Sequence, residues 1–357
     1  MTRILAITGS ITGAEALWVD FNTRTLLFTD VSDFGLYIRE MPSTDLASTL
    51  EILLNKLADR SQEEDFSIFN GLSCICVSTS GLDIKSNKNI IIHALSQVGV
   101  PRLSLNNVLL SSIAESTYSG ISGRSPGVVL RSGMGCSLYA IDKNLKSKTV
   151  SALSSSLGSM GCELAISLQT LRQLCAFGEG NQTRKMEVYC REILDRLPRF
   201  DSVSAYFEYI HEMKRDRSTC KSLTKLKELS EIVFDLYDQG NPIAVESVQH
   251  VKKYIESVLK NVSNSLDLKN EEFQFIFNGS LFKKSRQFNA DLIAMIKKLF
   301  PNCRFDKETG NARIIGAAKT ATDEIDKTFS PQLIELVAAS HRKSEGKLSW
   351  VSDYLRP

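Results

Sequence analysis

The chain has 357 residues, 43% hydrophobic and 24% charged, with a formal net charge of +2, which suits two domains with cores of their own. A near-neutral balance excludes a global electrostatic case for nucleic acid or a membrane surface, and no apolar run reaches spanning length. Eight cysteines without a C-x-x-C pair, several in apolar segments, read as buried thiols in a reducing compartment, not as disulfides or a metal site. The N-terminus enters a strand with no signal-peptide anatomy, so a cytoplasmic location is expected.

The first segment reads as strand, glycine turn, strand, turn, strand: 3–7, Thr8-Gly9-Ser10-Ile11-Thr12-Gly13, 15–20 and 25–28. Residues 43–57 carry apolar side chains at 46, 50, 53, 54 and 57, an amphipathic helical spacing that Ser43 or Thr44 is able to cap. A strand over 72–77 ends in Ser78-Thr79-Ser80-Gly81-Leu82-Asp83. Then come a helix over 89–98, a short strand at Leu103-Ser104-Leu105 running into Asn106-Asn107, and a helix over 108–118. Between Pro126 and Ile141, the apolar run Val128, Val129, Leu130 ends in Ser132-Gly133-Met134-Gly135 and a second run follows from Leu138. That pattern predicts two short strands joined by a glycine turn, whose N–H groups are able to form a concavity suited to phosphate oxygens. Strands alternating with helices argue for an α/β domain.

Past residue 150 the character changes. A serine-rich linker, 152–156, leads to Leu157-Gly158-Ser159-Met160-Gly161-Cys162-Glu163 and a helix to about 177, and helical patterns dominate to about 262. Leu223, Leu226, Leu229, Ile232, Val233 and Leu236 mark one apolar face. Asn241-Pro242 combines a cap with a first-turn proline and opens a helix with Val248, Val251, Ile255, Val258 and Val262 on one side. The mixed-charge run 211–221 reads as a solvated loop or helix face. A strand returns over 273–277 and runs into Asn278-Gly279-Ser280; a helix over 289–299 and a strand near 303–305 follow. A last packed helix opens at Asn311, its small residues Gly316, Ala317 and Ala318 permitting close backbone approach. The tail beyond Asp326 reads as an appendage.

Glycine turns directly after apolar strands recur at Gly9, Gly81, Gly133/Gly135 and Gly279. In their order these segments resemble the actin-like ATPase and sugar-kinase superfamily, and more closely the N-acetylglucosamine kinase and BadF/BcrA-type ATPase family, over residues 3–321. The resemblance implies an α/β fold with two ribonuclease-H-like lobes around a central cleft and a helical insertion. It implies an N-terminal lobe over 1–120, a C-terminal lobe over 121–325 with its helical segment at about 161–262, and a tail over 326–357. It also implies ATP and Mg²⁺ as cofactors and a sugar and a nucleotide as small-molecule partners, with no nucleic acid and no membrane, and it leaves room for a homodimer.

The family's opening D-G-G-G-T-x-T lines up with Thr8 to Ala14, so Thr8 stands where the family has the Asp that holds Mg²⁺ indirectly. Its G-x-S/A-G-x-D is matched by Ser80-Gly81-Leu82-Asp83, and its N-D-A, whose Asp is the base, falls on Asn106-Asn107-Val108. The S-G-T-G-S turn that wraps the ATP phosphates falls on Ser132 to Cys136, and G-D-E-G on Gly158-Ser159-Met160-Gly161. The adenosine-side turn falls on Asn278 to Ser285 and the closing G-A-A-x-x-A on Gly316 to Ala321. Carried over residue by residue, the nucleotide is expected at Gly9, Ser10, Thr12, Ser132, Gly133, Met134, Gly135, Gly279 and Ser280. The sugar is expected at Ser80, Gly81, Asp83, Asn107 and Gly158, with Asn107 at the position of the base and no metal ligand.

The departures from the family fall on one kind of residue. Magnesium takes hard oxygen ligands, typically one or two carboxylates with waters and phosphates, and the carboxylates at 8, 159 and 160 are missing. The amide of Asn107 accepts no proton at neutral pH, and losing a general base costs about 10²–10⁴-fold in rate. The resemblance therefore implies an ATP-dependent kinase for N-acetylglucosamine or a related sugar with impaired turnover. The alternative is a catalytically inactive pseudokinase that senses an amino sugar or nucleotide. A third reading, an ATPase that activates a dehydratase, lacks the N-D-K-C-like segment that carries the iron–sulfur ligand. Glu163, one helical turn beyond Met160, and Asp83 are the acids placed to substitute; their plainer readings are a helix-surface Glu and a turn-capping Asp, as Asn107 has the plainer reading of a helix cap.

Overall fold

The computed structural model describes residues 2–10, 13–31, 35–36, 41, 43–61, 66–79, 86–123, 125–151, 160–178, 184–197, 205, 208, 219–306 and 312–343. Two compact units divide the chain, one of Met1–Val129, Leu138–Ser151 and Asp306–Pro357, the other of Leu130–Ser137 and Ala152–Phe305. The sequence reading kept 306–325 with the second lobe; the structure returns that segment to the first unit.

The strands are β1 (Arg3–Ser10), β2 (Gly13–Asp20), β3 (Thr25–Val31), β4 (Leu72–Thr79), β5 (Val108–Ser112), β6 (Gly127–Ser132), β7 (Cys136–Ile141), β8 (Ser147–Ser151), β9 (Phe273–Asn278) and β10 (Cys303–Asp306). The helices are α1 (Ser43–Ala58), α2 (Ser86–Gln97), α3 (Arg102–Leu105), α4 (Ile113–Ser122), α5 (Glu163–Gly178), α6 (Arg184–Leu194), α7 (Thr219–Asp238), α8 (Pro242–Ser265), α9 (Arg286–Leu299), α10 (Ala312–Ile325) and α11 (Phe329–Lys343). One sheet has the order β3-β2-β1-β4-β5 and the other β10-β9-β6-β7-β8.

In the first sheet β2 is antiparallel to β1 and β3, while β4 runs parallel to β1 and β5 to β4. Both faces are covered, which is why β1 and β4 read as continuous apolar runs and not as alternating ones. Leu5, Ile7, Ala16 and Trp18 pack with Leu46, Leu50 and Leu53 of α1 and Ile91 of α2. The alternate residues Ile4, Ala6, Leu17 and Val19 pack with Ile314 and Ala318 of α10 and Leu333 and Val337 of α11. On that face α10 crosses α4 backbone to backbone. A Cβ at Gly316 would lie 1.7 Å from the Ser116 carbonyl oxygen, and one at Gly120 would lie 2.1 Å from that of Ala312, so both glycines are required.

Two expectations are corrected here. Residues 103–105 lie in the helical turn α3, and the helix expected from 108 begins only at Ile113, because Val108 to Ser112 pair beside β4 as a fifth strand. The cap is Ser112, whose Oγ accepts the Glu115 N–H at 3.1 Å. The tail is no appendage up to Lys343: Leu333, Leu336 and Val337, at helical spacing on α11, are buried against the first sheet's core. The cap expected at Asn241 is present, its Oδ1 accepting from the backbone N–H of Ile243 and Ala244 at 3.0 and 3.2 Å. In the helical segment of the second unit, Ser247 of α8 meets Thr170 and Gln173 of α5 at 2.9 and 3.0 Å, a polar seam satisfied from within. The linker 152–156 and residues 211–218 lie outside the described residues.

The thiols of Cys74, Cys76, Cys162, Cys190 and Cys303 are buried. Burial pushes the Cys74 and Cys76 thiols up to about 12, so they stay protonated and unreactive at neutral pH. A thiol reagent is therefore expected to label these two only on unfolding, measured by mass spectrometry across a denaturant series. Leu333→Ala is expected to lower the unfolding free energy by about 2–5 kcal/mol, measured by urea denaturation; an unchanged midpoint would return α11 to the status of an appendage.

Candidate functional site

Open α/β sheets bind ligands beyond the carboxyl ends of their parallel strands. In the first unit those ends are Thr8-Gly9-Ser10 of β1, Ser78-Thr79 of β4 and Ser111-Ser112 of β5, all hydroxyl-bearing residues or glycine. The hydroxyls are engaged by the chain itself. Ser78 Oγ donates to the Ser112 carbonyl at 3.2 Å, Thr79 Oγ1 to that of Leu36 at 2.7 Å, and Ser111 Oγ shares a proton with Ser116 Oγ at 2.6 Å. The Ser10 backbone carbonyl accepts the Leu36 N–H at 2.8 Å, and a Cβ at Gly9 would lie 2.1 Å from the Leu36 Cβ. The close approach that Gly9 permits is made by Leu36.

Among the described residues, the Glu15 carboxylate faces these strand ends. Glu15 stands opposite Thr8 in the β1–β2 register, and Thr8 Oγ1 donates to its Oε2 at 3.0 Å. Arg313, in the first turn of α10, donates from Nε to the same oxygen at 2.8 Å and from Nη2 to Oε1. This two-point guanidinium–carboxylate pair neutralises the acid and holds it in one orientation. Sequence reasoning missed both residues. The available signal was Glu15 itself, a charge on the strand face shared by Leu17 and Val19, which demands a buried partner.

Asn107 is placed differently from expectation. It is exposed at the entrance of β5, its Nδ2 donating to the Ser73 carbonyl at 3.0 Å and its own carbonyl accepting the Ile75 N–H at 3.1 Å. It laces the starts of β4 and β5 together, at the opposite end of the parallel strands from Gly9 and Ser10. The residue at the exit of β5 is Ser112, whose hydroxyl is a cap. Glu115, one turn into α4, has its pKa raised by burial and lines a cavity of about 310 Å³ with Tyr139, Asp323 and Glu324. Thr12, Ser80, Gly81, Asp83 and Gly158 lie outside the described residues.

In the second unit the structure brings the predicted turns together. Ser132, Gly133, Met134 and Gly135 connect β6 to β7. Ser132 Oγ, buried, donates to the Gly161 carbonyl at 2.6 Å, Gly133 N–H donates to the Gly135 carbonyl at 3.0 Å, and the Gly133 carbonyl accepts Glu163 N–H at 2.8 Å. Gly279, directly after β9, has φ of 115° and abuts this turn so closely that a Cβ would lie 2.1 Å from the Ser132 carbonyl oxygen. Only glycine meets both demands. Ser280 Oγ would lie 3.0 Å from a Cβ at Gly133, so segments 147 residues apart (279 against 132) meet at one wall. Burial pushes the Cys136 thiol up, where the family turn has a serine.

Glu163, the first residue of α5, is fully buried, and among the described residues neither carboxylate oxygen has a hydrogen-bond partner. It bears on the metal that the resemblance implies. Among the described residues no group of three or more His, Cys, Asp or Glu converges, and Glu15 at the first unit's strand ends is already paired with Arg313, so the described residues at those ends do not fit Mg²⁺. Beside the glycine turn, an orphaned carboxylate does fit a cation held jointly with phosphates.

No protein-family model matches the chain, and no curated protein matches it by sequence. Solved structures do match by shape. A proposed N-acetylglucosamine kinase from Chromobacterium violaceum superposes with a TM-score of 0.63 at 12% identity, covering 88% of this chain and 97% of the other. The chain has the sugar-kinase fold. A second proposed N-acetylglucosamine kinase, from Porphyromonas gingivalis, matches with a TM-score of 0.53 at 13% identity over 91% and 99% of the two chains. A glucokinase of the ROK family from Streptomyces griseus, crystallised with glucose and AMPPNP, matches with 0.50 at 12% over 89% and 99%. At these identities the sugar-kinase fold is shared as architecture, and the chemistry has to be argued from the residues.

Removing either member of the Glu15–Arg313 pair strands the other, half-desolvated. A double-mutant cycle with Glu15→Gln and Arg313→Gln is expected to give a coupling energy of about 1–3 kcal/mol in urea denaturation; additivity of the two single changes would show that the pair does not fix this end of the fold.

Proposed function

We propose that this protein uses a sugar-kinase fold to bind an amino sugar and a nucleotide, and that phosphate transfer between them has been lost. The observation that carries this reading is the state of the first unit's strand ends. Phosphoryl transfer asks for metal, charge-matched positioning and a group that takes the attacking hydroxyl's proton. The described residues supply hydroxyls engaged with the backbone, an amide at the far end of the sheet, and one acid neutralised by Arg313. The nucleotide side keeps its shape: Ser132 to Gly135 stand against Gly279 and Ser280 as one wall. The names of the similar structures supply the ligand class, N-acetylglucosamine in two cases and glucose with an ATP analogue in a third.

A second reading, a kinase of low activity, is favoured by one observation, the unpartnered Glu163. Two measurements separate the readings. Thermal-shift titrations with AMPPNP and with N-acetylglucosamine, each alone, are expected to raise the melting temperature, since a ligand at 100-fold its Kd stabilises by about 2.7 kcal/mol. Phosphorylation of N-acetylglucosamine by Mg-ATP is expected to fall at least about 10²–10⁴-fold below the typical kinase range of about 1–100 s⁻¹, the cost of losing a base alone. Turnover in the ordinary kinase range overturns the sensor reading in favour of the second; no shift with either ligand overturns both.

A further inference from the structure

We infer that Glu163 is the anchoring carboxylate of a hard divalent cation held at the Ser132–Gly135 turn together with a ligand's phosphates. The inference rests on the reading of that turn as the nucleotide wall.

Three observations converge. The first is energetic: Glu163 is 0% exposed, and among the described residues both carboxylate oxygens are without a partner. Desolvating a carboxylate is costly, and a native chain tolerates it only when the group is neutralised or paired. The positive end of α5 offsets part of the cost, but helix dipoles contribute less than the desolvation of a full charge. A cation bound at this place would supply the missing pairing.

The second observation is the chemistry of the surroundings. The N–H groups of Gly133 and Glu163 and the hydroxyl of Ser132 point at backbone carbonyls, those of Gly135, Gly133 and Gly161. Each of those carbonyl oxygens has a second lone pair. These carbonyls are oxygen acceptors of the kind a hard cation takes. Hard divalent cations take carboxylate and carbonyl oxygens, and Mg²⁺ in particular is commonly held by one or two carboxylates plus substrate phosphates.

The third is the placement. The family acids of the G-D-E-G segment fall on Ser159 and Met160, and Glu163, where α5 begins, follows Met160 by three residues. Its own N–H binds Gly133, the second residue of the glycine turn, at 2.8 Å. The carboxylate is thus tied to the turn by its backbone, while the acid positions that the resemblance marks are vacant of acids.

The test uses Mn²⁺ as the probe, with the full chain. Wild type is expected to take up Mn²⁺, measured as loss of the free-ion electron paramagnetic resonance signal, more tightly when ADP is present, and Mg²⁺ is expected to compete. Glu163→Gln keeps the shape and removes the charge; it is expected to bind Mn²⁺ at least about tenfold more weakly while its melting temperature in EDTA matches or exceeds that of wild type, because an uncompensated buried charge is gone. Equal Mn²⁺ binding by wild type and Glu163→Gln, or no binding by wild type in the millimolar range with or without ADP, overturns the inference. Should the Gln variant fail to fold, paramagnetic broadening in wild type decides: loss of the Gly133, Gly135 and Cys162 amide signals on adding Mn²⁺ supports the site, and broadening elsewhere or nowhere overturns it. ADP alone in EDTA separates the two readings, since its effect on melting reports the nucleotide wall whatever becomes of the metal.

Discussion

The backbone contact between α4 and α10 is the constraint on which the first unit's ligand-facing end depends. Ser116 and Gly120 on one helix, Ala312 and Gly316 on the other, leave no room for a side chain between them. The same closeness that packs Ile314 and Ala318 onto the sheet sets Arg313, one residue from Ala312, over the end of β1. Glu15 is ordered by that arginine, and Thr8 by Glu15. A chain of three side chains, drawn from the first strand, the second strand and a helix 298 residues further on (313 against 15), thus closes an end where ligands of such sheets ordinarily enter.

Glycines and carboxylates have fared differently in this chain, and the structure explains why they separate. Gly9, Gly279, Gly120 and Gly316 are each required by the protein's own backbone or by Leu36, because a Cβ at any of them would collide. They are kept by packing whether or not a ligand is bound. A carboxylate at a metal site has no such support: without its cation it is a desolvated charge, and its removal relieves the fold. Retained glycine turns are therefore weak evidence of turnover, and the acids present are the informative residues. Glu15 has a partner and Glu163 has none, which is why the two receive different readings.

Elements with local signatures were legible in the sequence. The Asn241-Pro242 start of α8, the amphipathic α1, the β6–β7 pair around its glycine turn and the close-packed α10 all follow from capping, periodicity and backbone freedom within a few residues. The errors came where a tertiary partner overrode a local pattern. Val108 to Ser112 has the composition of either a buried strand or a helix start, and its place beside β4 decides for the strand. That shift of a few residues moved the end of β5 from Asn107 to Ser112 and carried Asn107 to the other end of the sheet.

By itself, the sequence determined the α/β class, the order of the glycine turns and the absence of acids at 8, 159 and 160, because each is a property of residue type at a local spacing. The tertiary structure alone decided that Gly133 and Gly279 share one wall, that Arg313 pairs with Glu15, that α11 belongs to the core, and that Glu163 is a buried carboxyl and not a helix-surface residue. Burial and partnership are relations between distant segments. A carboxylate looks the same in a sequence whether water, an arginine or nothing stands opposite it, and its chemistry differs in each case.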